Sequence, residues 1–365
     1  MNFLTINNIV IISNEPWGDI WYSKHNYANE LAKNNCVYWI DPPGKWRFSH
    51  LWRRKIQIKK EADNLYLLSY NNILPFSVKY ILCFYLNDFF ITKALKRFLR
   101  KKNIADFLFW SFDPYRLKTP KRIGAEFSIY QVMDDYMPKH EKQICENVDV
   151  ILYNSSFFNS KLIKYNKPML YIPHAISAEE FSINKQHPIP EIVRNSFLYV
   201  GNIDNRMDFQ SLFSLADSFP TEVFCLIGKD KLSESQRNDI KKRNNITILE
   251  AVHFKKLKNY IAAAKGCLAI MKTDYNGNMI NHHKILQYLA FGKDVYCPAF
   301  SEYSDKNTHL LCVYRNTAEL LQLFSEKLQN ASSKDIQQER IEYAKSLRYE
   351  VVLEKIDKFI QENAC

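Results

Sequence analysis

The sequence predicts an α/β fold with parallel sheets in two domains, and three observations lead to this prediction. Short apolar, β-branched runs alternate with longer helical patterns along the chain, which is typical of parallel strands joined by helices. The length of 365 residues is ample for two hydrophobic cores. The segment Ser182–Arg194, which holds two prolines and few apolar residues, is the best linker candidate near the middle.

The predicted strands are the apolar runs bounded by turn residues. In the first half they are Asn8–Ser13, Val37–Ile40, Leu65–Ser69, Phe107–Trp110, Ser128–Val132, Val148–Asn154 and Met169–Ile172. In the second half they are Ser196–Val200, Glu222–Ile227, Ile246–Leu249, Cys267–Met271, Val295–Cys297 and Leu311–Tyr314. The helical patterns between them include Ser23–Lys33, Asn87–Lys101, Phe209–Ser218, Ser233–Arg243, Leu257–Ala264 and His282–Phe291.

These elements predict one domain over residues 1–182 and a second over residues 190–340. Two such domains are expected to leave a cleft between the carboxyl ends of their sheets, where open α/β sheets bind ligands. A last helical pattern, Gln337–Glu362, follows the second sheet. We expect residues 341–365 to form a helix that returns to the first domain.

The cysteines and the apolar runs predict a cytoplasmic protein. Eight cysteines lie without CxxC spacing, mostly in apolar runs, which predicts neither a disulfide framework nor a zinc site. The N-terminus has no basic region followed by a cleavage site, as a signal peptide requires. The longest apolar stretch, Tyr80–Ile91, is too short to span a bilayer and is interrupted by Asn87 and Asp88.

The positive charge of the chain suggests an anionic partner. Lys and Arg number 50 against 39 Asp and Glu, a formal net charge of +11. Basic residues cluster at Lys45–Lys60, among Trp46, Phe48, Leu51 and Trp52, and again at Lys93–Lys102. Such clusters favour peripheral attachment to an anionic membrane surface, here the inner face of the cytoplasmic membrane, over a merely solvated helix face. Nucleic acid competes as a partner, but no known nucleic-acid-binding motif supports it.

The sequence lacks the motifs of several large enzyme classes, and its polar residues instead follow predicted strands. GxGxxG, GxxxxGK[ST], GxSxG and HExxH are all absent. The first polar group is Tyr199–Phe209, in which Gly201 and Asn202 follow a strand and Arg206 precedes a helix. Gly201 allows close backbone approach, and Arg206 suits a phosphate. The alternative is an ordinary turn with Asp208 as the helix cap.

The second polar group lies at the start of the predicted helix His282–Phe291. It consists of His282, His283, Lys284, Gln287 and Tyr288. A lysine at a helix N-terminus opposes the helix dipole, so a bound phosphate explains Lys284 better than helix stability does. The adjacent histidines suit a metal, but no cluster of Asp, Glu or Cys accompanies them.

The third polar group is a pair of carboxylates, Asp134 and Asp135, delivered by the strand Ser128–Val132. One of two adjacent carboxylates can serve as a general base. Helix capping and cation binding are the alternatives.

The fourth group follows the first strand and consists of Trp17, Asp19, Trp21 and His25. Tryptophans beside a carboxylate suit an acceptor sugar or a lipid head group. The alternative is packing at a domain edge.

Together these segments resemble the GT-B glycosyltransferases, in particular bacterial teichuronic-acid-type (family-4-like) enzymes and xanthan-type glucuronosyltransferases. The matching segments are WIDPP (Trp39–Pro43), SIYQVMDDY, LYNSSFF with YIPHAIS, YVGNIDNRMD and HKILQYLAFGKDV. The last is the most specific, because it looks like the P-L-K-L-x-E-Y-L-A-x-G-x-P-V signature of retaining family-4-like enzymes. The resemblance implies two Rossmann-like domains facing each other across a cleft, with a C-terminal helix returning to the first.

The resemblance also implies roles for individual residues. Retaining family-4-like enzymes carry two glutamates at positions held here by Met279 and Gln287. The pair Lys284 and Gln287 instead looks like the Lys-x-x-Gln of the xanthan-type inverting enzymes. By that likeness Arg206 and Lys284 would hold the donor diphosphate, Gln287 would contact the nucleotide or its sugar, and Asp134 or Asp135 would be the base.

The implied activity is transfer of a sugar from a nucleoside diphosphate sugar to a lipid-linked oligosaccharide of capsule, exopolysaccharide or lipopolysaccharide. The expected donor is UDP-linked, with UDP-glucuronate as one candidate, and the expected mechanism is inverting, without a metal or other cofactor. Two alternatives stay open. One is a retaining family-4-like transferase that lacks the usual glutamates, and the other is a non-catalytic sugar-nucleotide-binding protein.

Overall fold

The computed structural model describes residues 6–18, 21–51, 56–75, 81–183, 188–274, 282–300, 302 and 308–363. The chain divides into two compact units. The first unit is Met1–Pro173 with Tyr349–Cys365, and the second is His174–Arg348. Each has its own largely parallel sheet with helices between the strands, so the predicted α/β class is confirmed.

The first unit is built on an eight-stranded sheet in the order β3-β4-β2-β1-β5-β6-β7-β8. Its strands are β1 (Asn8–Ile12), β2 (Cys36–Ile40), β3 (Gln57–Ala62), β4 (Leu65–Ser69), β5 (Phe107–Ser111), β6 (Phe127–Val132), β7 (Val150–Tyr153) and β8 (Met169–Tyr171). Its first helices are α1 (Ser23–Leu31), α2 (Ile81–Lys101), α3 (Pro120–Ile123), α4 (Pro138–Asn147) and α5 (Phe157–Leu162). Strands β5 and β6 are buried along their whole length, as expected of a sheet covered on both faces.

Strand β3 is the element of this sheet that the sequence did not predict. It pairs antiparallel with β4 at the sheet edge, and every one of its residues is exposed. The basic segment Lys45–Lys60 therefore continues into an edge strand rather than a helix. Charged side chains on an edge strand discourage further strand pairing, which explains its polar sequence.

The second unit is built on a six-stranded parallel sheet in the order β11-β10-β9-β12-β13-β14. Its strands are β9 (Ser196–Val200), β10 (Val223–Ile227), β11 (Ile246–Leu249), β12 (Gly266–Leu268), β13 (Val295–Pro298) and β14 (Cys312–Tyr314). Its helices are α6 (Glu191–Arg194), α7 (Phe209–Ser218), α8 (Glu234–Lys241), α9 (Phe254–Ala263), α10 (His283–Leu289), α11 (Thr317–Gln329) and α12 (Lys334–Ser346). Single 3₁₀ turns occur at Phe48–Leu51, Ile163–Tyr165, Ala178–Phe181 and Thr308–Leu310.

The predicted final helix Gln337–Glu362 is two helices, α12 and α13 (Tyr349–Asn363). The break lies at Leu347 and Arg348, because both backbones are engaged by the segment that opens the second unit. Leu347 O accepts a hydrogen bond from Ile176 N–H at 3.0 Å, and Arg348 forms a β-bridge with Ile176. This contact also places His174–Phe181 in the second unit, ahead of the predicted linker.

Helix α13 belongs to the first unit and packs on α1. The ring of Tyr349 lies 4.9 Å from that of Tyr27, and its hydroxyl donates to Ser23 O at 3.4 Å. The first unit is therefore made of two segments of the chain separated by the whole second unit.

The polar residues that interrupt the apolar stretch at the start of α2 hold neighbouring loops. The side-chain amide of Asn87 accepts from Leu74 N–H at 2.9 Å and donates to Leu74 O at 3.0 Å. Asp88 accepts a hydrogen bond from Leu117 N–H, where the backbone has a φ of 53°. Across the described residues, no helix has the length and hydrophobicity of a membrane span.

Candidate functional site

The turn after β9 packs directly against the turn after β10 at the carboxyl edge of the second sheet. Gly201 has a φ of 144° and Gly228 a φ of 159°, and a Cβ on Gly228 would lie 1.7 Å from the carbonyl oxygen of Gly201. Gly201 N–H donates to Ile227 O at 3.0 Å. The positive φ of Gly201 is one that residues with a side chain rarely adopt, so this predicted site residue is a glycine for backbone reasons.

Lys284 on α10 lies beside this turn. Its Nζ is 4.1 Å from the centre of the Tyr199 ring and 3.9 Å from the sulfur of Met271. It is also 3.0 Å from the position that a Cβ on Gly201 would take. Burial, together with the nearby charge of Arg206, lowers the pKa of Lys284 to about 7. No carboxylate among the described residues lies within 4 Å of it, and the more distant charge of Asp204 offsets the lowering of its pKa only in part.

Arg206, by contrast, has a carboxylate partner. Its Nε donates to Asp204 Oδ1 at 2.9 Å and its Nη2 to Asp204 Oδ2 at 2.8 Å. This pairing lowers the pKa of the Asp204 carboxyl. The Arg206 side chain remains about half exposed, so other faces of its guanidinium stay open to a ligand. Asp208 accepts from Ser211 N–H at 3.2 Å and caps α7, as the alternative interpretation of this segment predicted.

The residues of α10 divide between two faces. Lys284 and Tyr288, four apart, face β9, and the Tyr288 hydroxyl accepts from Val200 N–H at 2.8 Å where the strand ends. His283 and Gln287, also four apart, face the opening segment of the second unit. There His283 Nε2 lies 3.0 Å from Ala175 O, and Gln287 Nε2 donates to Glu180 Oε1 at 2.6 Å.

The remaining predicted donor residues lie at the margins of this cluster. Asn202 contributes its carbonyl, which accepts from the Tyr199 hydroxyl at 3.0 Å. His282 is the N-cap residue of α10 and is buried, with its ring 4.4 Å from that of Phe300. The helix covers His283–Leu289, shorter than the predicted His282–Phe291, and the preceding Met279 and Asn281 lie outside the described residues.

At the carboxyl edge of the first sheet the central cation is Arg116, which is buried and donates four hydrogen bonds within the first unit. Its Nε donates to Asp113 Oδ2 at 2.6 Å, and its Nη1 donates to Asp41 O at 2.9 Å and to the Tyr70 hydroxyl at 2.7 Å. Its Nη2 donates to Ser13 O. Through Ser13, Asp41 and Asp113, Arg116 thus connects the loops that follow β1, β2 and β5.

The two predicted carboxylates of the first unit, Asp134 and Asp135, have different partners in the structure. Asp135 is paired with Lys161 at 2.6 Å, and Lys161 also pairs with the buried Glu141 at 2.7 Å. Asp134 is exposed and contacts the Tyr136 hydroxyl at 3.5 Å. Neither caps α4, whose N-cap residue is Met137 without a side-chain hydrogen bond.

Lys24 lies in the same neighbourhood as Asp134. Its Nζ donates to Asn14 Oδ1, and the side-chain amide of Asn14 donates to the Tyr136 hydroxyl at 3.1 Å. Burial lowers the pKa of Lys24, and the charges of Glu15, Asp134 and Asp113 oppose that shift. Across the described part of the chain, no three His, Cys, Asp or Glu residues are grouped as a metal site requires.

The predicted acceptor group is an aromatic cluster within the first unit. The ring of Trp17 lies 5.2 Å from that of Trp21 and 5.1 Å from that of Trp39. His25 is buried, accepts from Tyr22 N–H at Nδ1 and donates from Nε2 to Pro16 O at 3.1 Å. Burial lowers the pKa of His25 to about 4, so the ring is neutral and held by its neighbours. Asp19 lies outside the described residues.

Sequence reasoning missed the carboxylates that pair with the predicted residues. Asp204 is two positions from Arg206 and lies in the same turn, so its proximity was a usable signal. Glu180 lies 107 positions before Gln287. The only local sign of Glu180 is the capping-box pattern with Ser177, in which Glu180 Oε2 accepts from Ser177 N–H at 2.9 Å.

Solved structures with the same fold include glycosyltransferases. A structure described as trehalose-6-phosphate from E. coli bound with UDP-2-fluoro glucose matches 98% of this chain and 99% of its own, with a TM-score of 0.70 and 11% identity. A UDP-forming α,α-trehalose-phosphate synthase from Burkholderia vietnamiensis matches 96% of each chain, with a TM-score of 0.73 and 10% identity. WaaG, a glycosyltransferase involved in lipopolysaccharide biosynthesis, matches 96% of this chain and 99% of its own, with a TM-score of 0.62 and 12% identity.

These likenesses confirm that the chain has the GT-B fold that the sequence resemblance implied. No protein-family model and no curated protein matches the sequence.

Proposed function

We propose that the protein is a glycosyltransferase that moves a sugar from a UDP-sugar to an acceptor. The observation that carries the proposal is Lys284, a half-buried cation without a carboxylate partner among the described residues, beside a tight glycine turn at the carboxyl edge of a parallel sheet. Ligands of open α/β sheets bind at this edge. The trehalose-phosphate synthases of the same fold are UDP-forming, which supports UDP as the nucleotide.

The proposed chemistry depends on cations that stabilise the leaving diphosphate. As the glycosidic bond breaks, negative charge grows on the diphosphate, and a pre-placed cation stabilises it most in a partly dry site. Lys284 and the open faces of Arg206 would supply this charge. We propose that the reaction proceeds without a metal ion. Gln287, held by Glu180, would contact the nucleotide or its sugar.

We propose Asp134 rather than Asp135 as the general base. The Oδ1 of Asp135 is paired with Lys161, which also pairs with the buried Glu141, so this carboxylate is part of an ion-pair network of the first unit. Asp134 is exposed and has no ion-pair partner among the described residues. A base must be able to reach the acceptor hydroxyl, and only an uncommitted carboxylate meets this requirement. In the proposed step the acceptor hydroxyl gives its proton to Asp134 and displaces UDP directly from the anomeric carbon, which inverts the configuration of the sugar.

We further propose that the acceptor is a lipid-linked saccharide and that the protein works at a membrane surface in the cytoplasm. WaaG, which has the same fold, is involved in lipopolysaccharide biosynthesis. Trp17 and Trp21, which are partly buried, remain the candidates for contact with the acceptor. UDP-glucuronate remains one candidate donor.

The second candidate function is a sugar-nucleotide-binding protein without transferase activity. The observation that favours it is the carboxylate partner of Arg206, since Asp204 offsets one of the two cations proposed for the diphosphate. A binding protein would retain UDP-sugar affinity but show no turnover.

The experiment compares two neighbouring aspartates. The purified protein is incubated with UDP-glucose or UDP-glucuronate, with and without EDTA, and release of UDP is measured, with water taking the place of the acceptor. Asp134→Asn is expected to lower UDP release by about 10²- to 10⁴-fold while leaving donor affinity unchanged, because the substitution removes only the base. Asp135→Asn is the matched control and should retain activity within about tenfold of wild type.

Three results would contradict this assignment. Equal losses in both variants would remove the distinction between the two aspartates. Complete loss of activity with EDTA would overturn the metal-independent mechanism. Binding of UDP-sugar without any UDP release would favour the second candidate function.

A further inference from the structure

The outward face of α2 carries an apolar stripe followed by a basic stripe. The apolar stripe is Leu82, Tyr85, Leu86 and Phe89, with exposed fractions of 69%, 45%, 38% and 55%. The basic stripe is Lys93, Lys96, Arg97 and Arg100, all exposed. Positions three, four and seven apart lie on one side of a helix, so the two stripes share a single face about 27 Å long.

The opposite face of α2 is buried in the core of the first unit. Phe84, Ile91, Leu95 and Leu99 are each less than 9% exposed. The helix therefore has its stabilising apolar contacts already, and the apolar stripe is not needed to hold it in place. Exposed large apolar side chains in a contiguous row mark a contact surface.

The cations of the basic stripe differ from those of the other basic cluster. On β3, Lys59 pairs with Glu61 at 2.7 Å and Lys60 with Asp63 at 3.3 Å. No residue of the basic stripe has an ion-pair partner within 4 Å among the described residues. Four cations without a described ion-pair partner thus lie directly next to the apolar stripe.

A groove along the side of α2 has the same combination of properties. It has a volume of about 540 Å³. Its lining is apolar at Ile56, Phe90, Ala94 and Phe98 and cationic at Lys93, Arg97, Lys101 and Lys102. A lining that combines apolar and cationic side chains matches an amphiphile that joins an acyl chain to an anionic head group.

We propose that the outward face of α2 docks on an anionic lipid bilayer. The apolar stripe enters the boundary between head groups and acyl chains, and the basic stripe contacts lipid phosphates. This inference rests on the proposed function, since a lipid-linked acceptor requires an enzyme at the membrane. The proposal places the membrane contact on α2 and not on β3, where Lys59 and Lys60 are already paired with carboxylates.

The test is co-sedimentation of the full chain with vesicles, without nucleotide. Vesicles of phosphatidylcholine alone are compared with vesicles of phosphatidylcholine and phosphatidylglycerol. Wild type is expected to bind the anionic vesicles and to be released by salt. Lys96→Gln/Arg100→Gln should weaken that binding by about 10- to 30-fold, because each cation near the surface contributes roughly tenfold or less. Leu82→Ser should weaken it by about tenfold.

Matched controls lie elsewhere on the same unit. Lys59→Gln/Lys60→Gln removes two cations that are already paired, and Ile163→Ser removes an apolar side chain that is 63% exposed. Each should change vesicle binding by less than about threefold. Release of UDP from UDP-sugar in the absence of vesicles should be unchanged in every one of these variants.

Four outcomes would overturn the inference. These are no binding to anionic vesicles, equal binding to neutral ones, equal effects of the α2 variants and their controls, and a dimer in solution that Leu82→Ser dissociates. The last would make the face an interface between two copies. Because the proposed function is judged by UDP release and this inference by vesicle binding, either can fail without the other.

Discussion

The carboxyl edges of the two sheets each hold a positively charged side chain close to the backbone, and they differ in how that charge is balanced. In the first unit, Arg116 donates to Asp113, to Tyr70 and to two backbone carbonyls. In the second, Lys284 faces an aromatic ring and a thioether. Arg116 thus has a carboxylate partner within the protein, whereas Lys284 has none within 4 Å among the described residues.

This difference indicates which of the two cations, Arg116 or Lys284, is better suited to bind a ligand. A buried cation satisfied by its own chain is a structural element that fixes loops. A partly buried cation left without a carboxylate costs stability that a bound anion would recover. By this criterion Lys284, and not Arg116, is the residue that we propose for the donor site.

The largest effect expected from this comparison is on stability. Arg116→Met leaves Asp113 buried and unpaired, so the free energy of unfolding of the first unit should fall by about 3–5 kcal/mol. All six tryptophans precede residue 174, so their fluorescence during denaturant unfolding follows the first unit. The matched control in the same unit is Lys59→Met, which removes a similarly short but solvent-exposed pair with Glu61 at 2.7 Å and should cost less than about 1 kcal/mol. Similar losses in both would contradict the contrast.

The second prediction concerns donor affinity. Lys284→Met should weaken binding of UDP by about 10- to 100-fold, since it removes a charged contact to phosphate. Its stability should be equal to or above that of wild type, because no carboxylate is left unpaired. Lys293→Met is the control: its Nζ donates to Ala262 O at 2.8 Å and to Ala264 O at 2.6 Å, so stability should fall while UDP affinity is retained. Calorimetry measures both affinities.

The pKa of Lys284 adds a pH dependence to the same prediction. Because that pKa is lowered from 10.5 to about 7, UDP affinity should fall as pH rises above 7, and binding near pH 8 should be accompanied by proton uptake. Stability has the opposite sign: the unfolded chain keeps this proton up to about pH 10.5, so wild type gains stability relative to Lys284→Met between pH 7 and 10.5. Binding enthalpies that do not depend on the buffer's ionisation enthalpy would contradict this.

The last prediction concerns the glycine turn. Gly201→Ala forces a side chain into a φ of 144° and places a methyl group 3.0 Å from Lys284 Nζ. Stability should fall by about 1–3 kcal/mol, and UDP affinity should fall with it. Gly18→Ala, where a Cβ has no neighbour within 4 Å and φ is not positive, should change either quantity little. Loss of stability without loss of affinity would separate the turn from the donor site.

The fold was largely predictable because continuous apolar runs in the sequence indicate buried strands. Leu65–Ser69 and Ser196–Val200 were predicted with the bounds that the structure gives. Strand β3 was not, since an exposed edge strand of sequence QIKKEA has no apolar period. The break at Leu347–Arg348 was also missed, because it depends on a bridge to Ile176 across the second unit.

The candidate site was predictable only where partners are close in sequence. Lys284 and Tyr288 could be placed on one helix, and Gly201 with Arg206 in one turn. Whether each charged side chain has an ion-pair partner could not be predicted, because this depends on which residues the fold brings close to it. Asp204 engages Arg206, Lys161 engages Asp135, and no described residue does the same for Lys284 or Asp134.

The return of α13 to α1 has a consequence for biosynthesis. The ribosome makes the first unit's sheet early, but Tyr349, whose ring packs on Tyr27, emerges only after the entire second unit has been synthesised. During that interval the nascent first unit exposes the apolar surface of α1 that α13 later covers. The second unit, a continuous segment, can fold before the first is finished, so the order of completion along the chain is the reverse of the order of synthesis.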